Sequence, residues 1–209
     1  MTERQARREA ADAMRALTPL IAWGLVPETT LRATAEALNE LAETLRPYAR
    51  SSRYEGTNGI RLDAEDGGAG NASLWEGHCV IGASNPHAPP VELDTTAEVV
   101  VGRVQWGAAY EGQKGYVHGG ALASALDVVL GHAAAKAGRP AVTGTMTLRF
   151  LRPVPIDADV TLEASLVDVD GRKVRVHAAM VVDGETAVVG DATFITVAAE
   201  RFGAPAQQH

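Results

Sequence analysis

The chain has 209 residues, 46% hydrophobic and 22% charged, which supplies a core of ordinary size and excludes a wholly disordered protein. A formal charge of −7 argues against a surface that coats nucleic acid. The single cysteine, Cys79, excludes an internal disulfide and any cysteine cluster for a metal, and a reducing cytoplasm is the default expectation.

Residues about 3 to 17 and 28 to 47 read as helices, rich in alanine, leucine, glutamate and arginine. Leu31, Ala35, Leu38, Leu41 and Leu45 recur at helical spacing, with an entry at Pro27-Glu28-Thr29-Thr30 and an exit at Arg46-Pro47. Acidic and basic residues balance over positions 1 to 50, which disfavours a DNA-reading module. The apolar run Leu20–Val26 is too short for a signal core with its cleavage site, or to span a bilayer. Residues 51–71 are polar and glycine-rich and read as a linker or surface loop. Ser73 to Ile81 reads as a strand, with Cys79 in its core, and Ser84 to Pro90 as an extended, proline-stiffened connection.

From Thr96 onward strands surround one helix. They are expected at about 97 to 106, 142 to 151, 158 to 168, 173 to 182 and 186 to 197, with a tight turn at Val182-Asp183-Gly184-Glu185. The helix, about 119 to 137, is closed by Gly138-Arg139-Pro140 and is rich enough in alanine and glycine to lie close against a sheet. This is an α+β pattern. The divisions are a helical extension over 1–50, the linker, a main domain over 72–200 and a flexible tail over 201–209.

Chemistry concentrates around that helix. His118, Gly119 and Gly120 bring unpaired amides and positive dipole potential to its start, where an acyl oxygen would be polarised. Asp127 follows on an otherwise apolar surface, where an ionisable group is costly unless it is paired or functional. At about 1.5 Å rise per residue, roughly 13 Å separates His118 from Asp127, so the two cannot bond within one helix. A shared site needs antiparallel helices from two copies of the chain, a two-fold interface. His132 and His177 show no partner and read as structural. Metal-ligand spacing, phosphate-loop glycines and a Gly-x-Ser-x-Gly elbow are absent.

Gly112 to Asp127, then Thr143 to Pro155, then Gly171-Arg172-Lys173, occur in that order and resemble the hotdog-fold acyl-CoA thioesterases of the PaaI-like branch. The resemblance covers roughly residues 84 to 198. It implies a long central helix wrapped by a curved antiparallel sheet, and hydrolysis of an acyl-CoA or related acyl thioester by a homodimer, with pairing into tetramers left open. Coenzyme A enters only as part of the substrate, with no separate cofactor, no metal, no nucleic acid and no membrane. By position, Asp127 matches the general base or nucleophile, Gly119 the amide that polarises the thioester carbonyl, His118 the motif histidine that holds the site, and Thr143 the hydroxyl that orients water or carboxylate. Gly120 also lies at the substrate. Arg149, Arg152, Arg172 and Lys173 are candidates for the coenzyme A phosphates. Several family members carry asparagine or glutamine six residues before the histidine; this chain has Gly112. Rival readings are a hotdog dehydratase or hydratase, a thioesterase for carrier-protein-bound acyl chains with the N-terminal helices as partner surface or lid, and a non-catalytic acyl-CoA-binding module.

Overall fold

Alternation sets the sheet. In strand β5 (Lys173–Val182) Val174, Val176, Ala178, Met180 and Val182 point inward and are buried, while the residues between them are not. The chain then reverses through Asp183 and Gly184, both at positive φ (51° and 76°), as a two-residue hairpin requires. Strand β6 (Glu185–Thr196) follows in antiparallel register, Val182 facing Glu185 and Lys173 facing Ile195. The computed structural model describes residues 2–51, 75–89 and 91–198.

The remaining strands are β1 (Glu92–Asp94), β2 (Val100–Val104), β3 (Ala141–Phe150) and β4 (Val160–Asp170). All pair antiparallel in one six-stranded sheet of order β1-β2-β4-β5-β6-β3. The sheet wraps helix α3 (Gly119–Ala135), the hotdog arrangement that the sequence motifs imply. Leu122, Ala125, Leu126, Val129, Leu130, Ala133 and Ala134 form its buried stripe. Leu126, Leu130, Trp106, Leu162 and Met180 are almost fully enclosed, each aliphatic side chain contributing about 1.5–3 kcal/mol by leaving water. Gly138, at φ +70°, stops the helix where expected. Lys136 ties that end down by donating from Nζ to the carbonyls of Thr95 (2.5 Å) and Ala97 (2.8 Å).

Strand β3 is the long edge of this sheet and has no fully buried residue. A register shift between Thr143 and Thr145 bulges it. At Gly144 a methyl group would lie 2.9 Å from the Ile195 side chain and 3.0 Å from the Thr193 carbonyl oxygen, so only glycine lets the bulge hug β6.

The N-terminal extension comprises α1 (Glu3–Trp23) and α2 (Glu28–Leu45). Helix α1 runs past the expected end because Pro19 removes just one backbone bond; Gly24 closes it by donating to Leu20 O at 3.2 Å. The expected strand at 73–81 does not form over its described part. Bonds from His78 N to Trp75 O, Gly82 N to His78 O and Ser84 N to Glu76 O curl the chain into turns. Gly82 makes this possible, since a methyl there would sit 2.4 Å from His78 N. Cys79 is consequently exposed rather than core, and Ile81 takes the buried position. Further turns, not an extended run, follow through Ala88. Residues 52–71 of the expected linker and the tail at 201–209 lie outside the described residues. Among those described, no helix is long and apolar enough to cross a membrane.

Candidate active site

The start of α3 is built around His118. Its backbone N–H donates to Tyr110 O (2.8 Å), and its imidazole Nδ1 accepts the Gly120 N–H (3.0 Å), capping the helix. Two glycines make room for that ring. A methyl at Gly112 would lie 2.8 Å from His118 Cα and one at Gly120 3.0 Å from Nδ1. Gly112 thus has a positional reason: it lets the loop close on the histidine. Because His118 occupies the Gly120 amide, Gly119 N–H is the one at the helix start without an acceptor among the described residues. Within the chain Gly119 has no steric need to be glycine, since a methyl there would meet only the Phe150 ring edge at 3.6 Å.

Asp127 lies eight residues further along, half-buried. Thr143 Oγ1, at the β3 bulge, donates to its Oδ1 at 2.9 Å. The continuous helix keeps Gly119 and Asp127 about 12 Å apart along its axis, so one chain does not unite them.

A cavity of about 240 Å³ opens beside the carboxylate. Asp127, Thr143, His132, Phe194, Trp75 and His78 contribute to its lining. The last two belong to the curled segment 75–89, which α1 clasps. Arg4 Nε and Arg8 Nε donate to the Glu76 carboxylate (2.6 and 3.0 Å), joined by Ser84 Oγ at 2.8 Å. These bonds, Arg8 foremost, hold the Glu76 carboxyl down to about 2. Arg15 grips the same segment through the carbonyls of Asn85 (2.7 Å), Ala83 (2.8 Å) and Ala88 (3.1 Å). The sequence reading missed this wall, because its partners lie about 70 residues apart.

His132 contributes to the cavity lining. Its ring rests against Trp75, centroids 4.4 Å apart, and Nε2 is buried without a hydrogen-bond partner among the described residues. Burial, with help from His78 and Lys136, lowers its pKa to about 4. His177 instead pairs with Asp191 (Nδ1 to Oδ1, 2.9 Å) at the surface.

The four basic candidates separate into two pairs. Arg149 and Arg152 lie toward the Phe150 end of β3, the Gly119 end of the site; Arg152 is ion-paired with Glu185. Arg172 and Lys173 lie at the other end of the sheet, near the cavity. There Arg172 donates to Thr196 O (3.2 and 3.3 Å) and Lys173 faces Ile195. Arg149 faces Val189 of the same β6, so roughly 20 Å of strand separates the pairs.

Comparison with known proteins agrees with this architecture. Residues 114–189 match the Thioesterase superfamily. A crystal structure described as a thioesterase superfamily protein superposes with a TM-score of 0.74 at 30% identity, over 90% of this chain and 94% of that one. Acyl-coenzyme A thioesterase THEM4 of Mus musculus is 30% identical over 93 residues, 44% of this chain and 40% of that protein. The Bos taurus THEM4 is 35% identical over 69 residues, 33% of this chain and 28% of its own. The match therefore spans less than half the length of these curated relatives. The E. coli PaaI protein of the phenylacetic acid degradation operon shares the fold, with a TM-score of 0.50 at 20% identity over 52% of this chain and 80% of PaaI. The chain belongs to the thioesterase superfamily.

Proposed function

We propose that the protein hydrolyses an acyl-CoA thioester, with the reaction centred on Asp127 and the Gly119 amide of a partner subunit. The observation that carries this reading is the Thr143–Asp127 hydrogen bond at the wall of a cavity of acyl-group size. A carboxylate held at one oxygen by a hydroxyl keeps its other oxygen for water or for the substrate. The names of the mouse and cattle relatives, acyl-coenzyme A thioesterases, support the substrate class.

In this mechanism the acyl group enters the cavity and the thioester oxygen accepts from Gly119 N–H. Asp127 takes a proton from water, whose oxygen attacks the carbonyl carbon. The tetrahedral oxyanion is held by the amide and the helix dipole. Its collapse breaks the carbon–sulfur bond and returns the proton to the thiolate, leaving free acid and thiol. Alternatively Asp127 attacks directly and water then hydrolyses the anhydride. Neither route calls for a separate cofactor.

Homodimerisation follows from two features. Gly119 and Asp127 are too far apart in one chain, and β3 presents a ten-residue edge with Val142 42% and Phe150 53% exposed. Antiparallel α3 helices would set one subunit's Gly119 end beside the other's Asp127 end. The same two-fold brings Arg149 and Arg152 of one subunit toward Arg172 and Lys173 of the other, so the two distant pairs serve one coenzyme A. The exposed Cys79 thiol suits a reducing compartment, in keeping with a cytoplasmic location. The test is Asp127→Ala: the folded variant should release no thiol from an acyl-CoA at an appreciable rate. A folded variant with the parental rate would overturn the reading.

A further inference from the structure

Beside the Gly119 amide stands a ring that proton transfer and oxyanion binding leave without a role. Phe150 is 53% exposed, yet it belongs to the inward face of the sheet. Its cross-strand partner on β6, Val188, is fully buried, and Leu148, two residues earlier on the same face, packs on the core. Thr143 and Phe150 are an odd number of residues apart, a spacing that would set them on opposite faces of a regular strand. The register shift between Thr143 and Thr145 cancels this, so both side chains turn toward α3. Thr143 reaches Asp127, and Phe150 reaches the start of the helix.

A methyl built on Gly119 would lie 3.6 and 3.7 Å from Cε1 and Cζ of that ring. In a helix the Cα–Cβ direction and the free N–H groups of the first turn both tilt toward the start. The ring edge therefore stands on the side to which the Gly119 N–H points, and that N–H has no acceptor among the described residues. A thioester oxygen accepting from it brings the carbonyl and its nearest acyl carbons against the ring. Methylene groups gain by leaving water for an aromatic surface. The pantetheine arm on the other side of the sulfur carries amides, whose hydrogen bonds a phenyl edge does not satisfy. The contact thus suits the acyl side of the thioester.

We propose that Phe150 is a specificity-determining residue: with the thioester oxygen on the Gly119 amide of the same subunit, its ring packs on the acyl carbons next to the carbonyl. The inference rests on the hydrolytic reading and on the two-subunit site, in which the base is the partner subunit's Asp127. Ring and amide then act together on one side of the thioester and the carboxylate on the other. The ring reads only the first carbons of the chain, while the far end extends into the cavity beside the carboxylate.

The experiment compares thiol release from acetyl-CoA and butanoyl-CoA by the full-length parent, Phe150→Ala and Phe150→Leu, with light scattering to verify the dimers. Phe150→Ala should lower the butanoyl-to-acetyl ratio of kcat/KM by about fivefold or more, mainly through KM, because the extra methylenes lose their contact. Phe150→Leu keeps the position apolar and should lower the ratio by about threefold; it decides the matter if Phe150→Ala does not fold or pair. An unchanged ratio, with both substrates slowed alike, would overturn the assignment, since lost subunit packing or a lost pantetheine contact acts equally on both. Placement is read in mixed dimers of Asp127→Ala and Gly119→Val chains, whose working site takes Gly119 from the first and Asp127 from the second. Phe150→Ala added to the Asp127→Ala chain should lower the ratio as in the homodimer, whereas on the Gly119→Val chain it should not. Equal effects from the two placements would refute the pairing of ring and amide. An inactive mixed dimer would overturn the two-subunit site, with the homodimer ratio still deciding the Phe150 contact. A parent that releases no thiol from any acyl-CoA would overturn the hydrolytic reading and this assignment with it, so the failures are distinguishable.

Discussion

Glu76 is the joint between α1 and the cavity wall, and its neutralisation is a sharp test of what the N-terminal extension does. The carboxylate side chain is 12% exposed and receives Arg4 and Arg8, which are 59% and 43% exposed. Its pKa of about 2, against an ordinary 4.5, would correspond at face value to roughly 3 kcal/mol of folded-state stabilisation. Solvent around both guanidiniums screens this to about 1–2 kcal/mol. Because the folded-state pKa is depressed, the contribution is complete above about 4.5 and disappears as pH falls toward about 2. Glu76→Gln should therefore lower the melting temperature by roughly 3–6 °C at pH 7. The gap to the parent should close progressively between pH 4.5 and 2. Thermal unfolding followed at several pH values reads both. Because Trp75 and His78 ride on the clasped segment, KM for acyl-CoA should rise in the variant while kcat changes less. An unchanged melting temperature at pH 7, or a gap at pH 2.5 as large as that at pH 7, would refute the clasp.

Other consequences are equally direct. Asp127→Asn should cut hydrolysis by about a hundredfold or more with stability retained, and Thr143→Ala by about tenfold, as read by thiol release. Gly112→Ala should destabilise the fold by about 1–3 kcal/mol in urea unfolding, because the added methyl meets His118 Cα at 2.8 Å. Gly119→Ala, whose methyl meets nothing closer than 3.6 Å within the chain, should leave stability intact and lower activity by crowding the thioester oxygen. Val142→Asp on the exposed β3 edge should yield an inactive monomer by light scattering.

The elements whose signals are local were legible in the sequence. The β5–β6 hairpin announced itself through alternating valines and an Asp-Gly turn, and α3 through His-Gly-Gly at its start and Gly138 at its end. Local β propensity misled at 73–81: Trp75, Cys79, Val80 and Ile81 favour a strand, but Gly77 and Gly82 bracket a curl that α1 holds from across the molecule. The edge strand β1 was missed because three residues carry too little pattern. Spacing alone could keep His118 and Asp127 apart within a chain; the contact between Asp127 and Thr143 rested on family resemblance and is present in the fold. Trp75 and His78 were invisible as a cavity wall, since their placement depends on the ion pairs of the intervening Glu76 with Arg4 and Arg8 far away in sequence. His132 looked like an ordinary helix residue. Its burial, with Nε2 lacking a partner among the described residues, is visible only once the chain is folded.

The split between Gly119 and Asp127 leads to a test of the composite site that no single variant provides. In the proposed dimer each chain holds two half-sites on one helix, which makes two sites, each drawing Gly119 from one subunit and Asp127 from the other. A dimer of Asp127→Ala subunits has no base, and a dimer of Gly119→Val subunits has no room at the amide. In a mixed dimer one site combines both lesions, while the other combines the intact Gly119 of the first subunit with the intact Asp127 of the second. If equal amounts of the two inactive variants are co-expressed and subunits pair at random, about half the dimers are mixed and each has one working site. Activity should therefore return to about a quarter of the parental value per subunit. Separately purified variants combined without subunit exchange should remain inactive. No recovery in a verified mixed dimer would mean that the amide and the carboxylate do not serve the same thioester, and the Gly119 N–H, without an acceptor among the described residues, would then need another explanation.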